Sequence, residues 1–217
     1  MNPKVNIAVD ARLATLPIGG IIGLAGVLMR GPHGTPLVDE DGWAEAALSA
    51  AFVPAHLAIL VGYVLPFLGF WALYERLRPL GAERLASWGF MLSLWGTALA
   101  LPALGVAAFA GPEAAAPFRE GLDGFADLIT SALLGPGLYV GIAAAVFYSV
   151  GPGLTGYAIW KTASPPRSVV LLFAVHGVLL SFGFGFYPVL VIGWISLIAS
   201  GSWMATWWRP QGTGSRI

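Results

Sequence analysis

Apolar and polar residues trade places along this chain on a scale of about twenty residues, far longer than the pitch of a surface helix or strand. Six apolar stretches stand out, at about residues 13–29, 51–74, 88–110, 136–160, 168–186 and 188–208. As a helix, each matches the roughly 20 residues needed to cross about 30 Å of hydrocarbon. Between the fifth and sixth stretches only Gly183, Gly185 and Pro188 mark a break. One helix through both would run about 60 Å at 1.5 Å per residue, so a hairpin is predicted. The expected fold is an all-α integral membrane protein: six transmembrane helices in one bundle, forming a single polytopic domain over residues 1–217.

The polar segments between the stretches are sorted by charge. Lys4, Arg12, Arg76, Arg78, Arg84, Lys161, Arg167, Arg209 and Arg216 fall on one side of the six-span reading, nine of the eleven Lys and Arg residues. The other side holds Arg30 and Arg119 with eight of the eleven acids: Asp39, Glu40, Asp41, Glu45, Glu113, Glu120, Asp123 and Asp127. Basic loops stay in the cytoplasm, which predicts a multi-pass inner-membrane protein with both termini cytoplasmic. Aromatic placement points the same way. Trp71, Tyr74, Trp88, Trp160, Trp207 and Trp208 cluster at the expected cytoplasmic ends, where an indole can keep its ring apolar and its N–H wet. The first stretch exceeds a signal-peptide core and lacks a small-residue cleavage site after it, so it is expected to be retained.

Two outer segments carry further pattern. Across 111–135, Phe118, Leu122, Phe125, Leu128 and Ile129 recur at helical spacing among Arg119, Glu120, Asp123 and Asp127. That predicts an amphipathic surface helix in the second outer loop, packed on its own protein because its polar face is mainly acidic. The run Asp39, Glu40, Asp41 and Glu45 reads as a solvated acidic turn. Within the spans, Gly19-x-x-x-Gly23 and Gly137-x-x-x-Gly141 are expected to let helices approach closely inside the bundle. No internal repeat of the inverted-transporter kind is visible.

Composition agrees with a lipid-solvated chain: 57% hydrophobic and only 10% charged, against about a quarter charged in soluble domains. Net charge is zero, which offers nothing to attract nucleic acid, and no cysteine is present. The lipid bilayer is the expected partner, with further membrane subunits as possible company. The candidate chemistry is thin. Gly151-Pro-Gly-Leu-Thr-Gly156 spells a dinucleotide fingerprint, but no strand precedes it, so it reads as a helix distortion. His33 with Asp39, Glu40 and Asp41 matches no standard metal spacing. No intramembrane carboxylate, Lys or Arg is available for coupled transport.

That leaves His56 and His176, the two histidines inside spans. Intramembrane ionisable residues are functional suspects, and a neutral imidazole can ligate haem iron. Counting from the span ends places the two at depths differing by roughly 7 Å, which counts against a shared haem b. The plainer expectation is that each bonds a neighbouring helix, at a carbonyl freed by Pro54 or Pro66.

The stretches Pro54-Ala-His-Leu to Leu73-Tyr-Glu-Arg-Leu and Gly89-Phe-Met-Leu-Ser-Leu-Trp-Gly-Thr-Ala-Leu, with the Gly156-Tyr-Ala-Ile-Trp-Lys helix end, resemble small polytopic membrane proteins of high-GC bacteria. That likeness implies no activity and no site residues. The expected role is a non-catalytic structural or accessory membrane component, with no cofactor. The alternatives are a haem- or pigment-binding redox subunit using His56 and His176, and a passive channel or small-solute permease.

Overall fold

The computed structural model describes residues 11–32, 39–122, 131, 135–163, 166–183 and 186–207. These residues are overwhelmingly helical, and no strand occurs among them. The helices are α1 (Thr15–Arg30), α2 (Glu40–Ala47), α3 (Phe52–Val64), α4 (Pro66–Leu77), α5 (Glu83–Arg119), α6 (Pro136–Ala163), α7 (Arg167–Phe182) and α8 (Tyr187–Trp207).

α3 and α4 form one rod. Leu65, the single residue between them, keeps helical angles, and its N–H still reaches the Val61 carbonyl at 2.9 Å. Pro66 has no N–H to give, so the Gly62 carbonyl loses its helical partner and turns toward α1 at Gly19. The rod ends in a short 3-10 turn, Arg78–Leu80, closed by Gly81 at φ 82°. A Cβ there would meet nothing within 4 Å, so the site asks for glycine's left-handed backbone rather than its small size.

Six rods result: α1, α3–α4, α5, α6, α7 and α8. Each packs on its sequence neighbours, and α8 returns to α1, closing a ring. The registers are antiparallel throughout. Gly20 of α1 faces Ile198, Gly23 faces Trp194, and Gly201 faces Leu16 and Pro17. Five helical stretches are long and apolar enough to cross a membrane, at Ala11–Arg30, Phe52–Leu80, Glu83–Arg119, Gly137–Thr162 and Tyr187–Thr206. α7, at 16 residues, is apolar but shorter. Large apolar side chains on the outside of the ring lie open, among them Ile21, Trp88, Trp95, Leu171, Phe182 and Ile192. A water-soluble monomer would not expose so much; a chain solvated by lipid does.

Close approach depends on small residues, though not always the expected ones. A Cβ on Gly23 would lie 2.6 Å from the Trp194 ring, so the indole occupies the space a side chain would need. Gly19 is likewise blocked by Pro66. Gly141, however, faces open space, so no inter-helix contact uses it. The tight seam of α6 lies further along, where Tyr148, Gly151 and Thr155 meet Gly96, Ser93 and Gly89 of α5. The glycine-rich run from Gly151 is thus part of an unbroken helix and serves packing.

The outer segments differ from expectation in two ways. The acidic run at Asp39 is the start of a helix: Asp39 caps α2, its Oδ1 accepting from the Gly42 N–H at 3.0 Å, with Glu40 and Asp41 in the first turn. α5 does not stop near residue 110 but continues to Arg119, through Pro112 and Pro117. It ends where Gly121 adopts φ 79° and the Leu122 N–H reaches back to the Pro117 carbonyl at 3.1 Å. The first part of the expected surface helix is therefore the end of α5; Phe125, Leu128 and Ile129 lie outside the described residues. Trp43, Ala44 and Ala47 of α2 pack with Phe52, Ala114, Ala115 and Phe118 as a small apolar cap separate from the main core.

Candidate functional site

The ring encloses aromatic side chains rather than open space. Tyr63 and Phe70 project from the α3–α4 rod and meet α6, α7 and α8. The Tyr63 ring stands edge-on to Tyr148 at 5.5 Å and to Trp194 at 5.1 Å, and its hydroxyl donates to the Leu180 carbonyl at 3.0 Å. About two helical turns further along, Phe70 packs on Phe173 at 5.6 Å and stacks on His176 at 6.3 Å. Tyr148 meets His176 edge-on at 6.1 Å. Such tilted and edge-on pairs add to the burial itself.

His176 is wholly buried in this cluster. Its Nδ1 donates to the Phe173 carbonyl on its own helix. A carbonyl only accepts, so in the neutral ring Nδ1 carries the proton and Nε2 is left as an acceptor. Nε2 has no partner, and neither do the Tyr148 hydroxyl, Trp194 Nε1 or Thr97 Oγ1. These four buried polar atoms come from four different rods.

His56 sits elsewhere. It is buried near the start of α3, tilted on Phe52 at 4.2 Å, with Nδ1 donating to the Phe52 carbonyl at 2.9 Å. Tyr63 and Phe70, which face the His176 region, follow His56 by seven and fourteen residues. Helix rise therefore separates the two histidines by about 10–20 Å along the rod. One metal ion would need both nitrogens about 2 Å away; the fold does not bring them together. Each histidine bonds a carbonyl of its own helix rather than one freed by a proline next door. Among the described residues no group of three or more His, Asp and Glu side chains is gathered. His33 lies outside the described residues, and Asp39 serves as a helix cap.

Sequence reasoning singled out the histidines and passed over Tyr63, Tyr148 and Trp194. The signal for them was weak but real: Tyr and Trp at mid-span, far from the interface where their polar tips usually sit.

Placed beside known proteins, the chain matches no protein family, no curated protein and no solved structure. Its class is that of a helical bundle with apolar, membrane-length helices.

Proposed function

We propose that this chain is a six-crossing inner-membrane protein with both termini cytoplasmic, serving as a non-catalytic structural or accessory component beside other membrane subunits. The observation that carries this reading is the filled centre of the ring. Trp194, Tyr63, Tyr148, Phe70 and Phe173 occupy the space a substrate path would need, and glycine-mediated contacts lock the rods around them. Close-packed interiors of this kind resist rearrangement. The two short features on the side of Arg30, α2 and the end of α5, add a rigid outer surface. α7 would be the sixth crossing, with the hairpin near Gly183 joining it to α8.

The test is the state of the protein in gently solubilised membranes. A colourless assembly of defined stoichiometry, larger than the 22.7 kDa chain, is the expected outcome. A lone monomer that makes proteoliposomes swell in a solute-dependent way would replace this reading with a permease. Topology has its own check: a reporter fused after Arg216 should be active in the cytoplasm.

One observation favours a second reading. His176 Nε2 is buried with its lone pair unused, as an axial ligand to haem or a pigment would have it, and such a group would have to displace the Phe70, Tyr148 and Phe173 rings packed on the imidazole. A Soret band in the purified protein, lost in His176→Ala and kept in His56→Ala, is the result that reading requires.

A further inference from the structure

The two ends of α1 carry one arginine each. At the cytoplasmic end of the proposed topology, Arg12 Nη2 donates to Glu75 Oε2 at 2.6 Å, and its guanidinium lies over the Trp71 ring at 4.8 Å. At the opposite end Arg30 is half-buried, and its Nε is buried without a hydrogen-bond partner.

The packing registers show what surrounds it. α1 and α8 pair Gly20 with Ile198 and Gly23 with Trp194, so each step along α1 is matched by a step back along α8. Continued to the end of α1, that register sets Arg30 against Tyr187, the first residue of α8. On the other flank Gly26 lies on Ala55 and Ile59, which puts the next turn of α1 beside the start of α3 and His56. Arg30 is accordingly within electrostatic reach of Tyr187 and His56, and also of Tyr63 on the inward side. Among the described residues, no carboxylate forms an ion pair with Arg30, although this side of the molecule holds most of the acids.

A half-buried guanidinium held by three rods and left without a counter-charge is an incomplete ion pair. We infer that Arg30, with Tyr187 and His56 beside it, forms a binding site for a phosphate-class oxyanion at the outer rim of the bundle. The chemistry matches in each part. A guanidinium offers parallel N–H donors spaced for two oxygens of one phosphate. Tyr187 brings a hydroxyl that can donate. His56 keeps its Nδ1–H on the Phe52 carbonyl, which leaves Nε2 as an acceptor, suited to a hydroxyl of the ligand (the P–OH of hydrogen phosphate or a headgroup hydroxyl) rather than to a bare phosphate oxygen. The oxyanion can come from a phospholipid headgroup, because Arg30 ends a membrane-length helix, or from a soluble phosphate.

Binding to lipid-stripped protein in a nonionic detergent, followed by calorimetry, separates these sources. The probes are inorganic phosphate, dihexanoyl phosphatidylglycerol and glucose as a neutral control. Saturable binding of phosphate or of the short-chain lipid is expected, with affinity at least about tenfold weaker in Arg30→Gln. Arg119→Gln, which alters the other outer arginine, should bind as the unmodified chain does. Binding of phosphate itself identifies a site open to soluble anions; binding of the lipid alone identifies a headgroup site. Arg30→Lys keeps the charge but loses the fork, so it should fold and bind several-fold more weakly. No saturable binding of either anion overturns the inference. So does unchanged affinity in a folded Arg30→Gln or Arg30→Lys protein.

Discussion

The Arg12 and Arg30 ends of the bundle solve the same electrostatic problem differently. At one end, Arg12 finds both a carboxylate and an indole face, and Arg78 pairs with Glu83 at 3.0 Å in solvent. At the Arg30 end the guanidinium has no ion-pair partner among the described residues, while the acids that open α2 serve the helix itself: Asp39 caps it, and Glu40 and Asp41 complement its dipole. Arg12 has its counter-charge within the chain, although its Nε, like that of Arg30, is buried without a hydrogen-bond partner. Arg30 lacks a counter-charge of its own among the described residues, so the two ends should respond oppositely to loss of charge.

The largest expected effect tests the frame that holds both ends in place. Gly23→Val would drive a branched side chain into the Trp194 ring and the facing Gly62 backbone. A cost of about 3 kcal/mol or more follows from overpacking with no flexible neighbour to yield. Thermal unfolding in detergent should show a sharply lowered midpoint, and an unchanged midpoint would remove the close approach on which the α1–α8 register depends. Next comes Arg12→Gln, which breaks the ion pair and the stacking on Trp71. Both groups are partly exposed, so about 1 kcal/mol is expected. A double-mutant cycle with Glu75→Gln should return a coupling of roughly 0.5 kcal/mol that shrinks with salt. Zero coupling at low salt would erase the contrast between the ends.

Asp39→Ala removes the cap of α2 and should cost about 1 kcal/mol locally. Hydrogen exchange ought to rise in α2 and its cap partners and stay constant around Arg12. The smallest effect belongs to Arg30→Gln in lipid-free nonionic detergent: within about 0.5 kcal/mol of the unmodified protein, because no internal partner is lost. A large destabilisation there would mean that Arg30 already has its counter-charge inside the chain.

Much of this architecture is legible from residue order alone. Hydropathy over twenty residues locates the rods because lipid imposes one simple demand on a whole segment. The Arg12–Glu75 clasp is not legible, since its partners are 63 residues apart and meet only once α1 lies on α4. α2 was readable but easily missed: Asp39 followed by two acids is a helix-start pattern, yet the same letters describe a solvated turn. The run of α5 to Arg119 contradicts the usual weight given to Pro112 and Pro117, because burial of Ala114 and Ala115 against α2 outweighs the lost backbone bonds. Of the two histidines, His176 proved central and His56 peripheral. Depth estimates from span ends underestimated their separation, because the α3 start lies level with the cap rather than within the aromatic centre.

Rod length carries a consequence for the surrounding lipid. α5 has 37 residues and α6 has 28, about 55 and 42 Å, whereas α7 has 16, about 24 Å. Seated in a bilayer, the molecule would present tall rods at α5 and α6 and a much shorter one at α7, directly beside α6. Lipids beside α7 must shorten their span, or the whole bundle must lean, at a cost of fractions of a kcal/mol per Å.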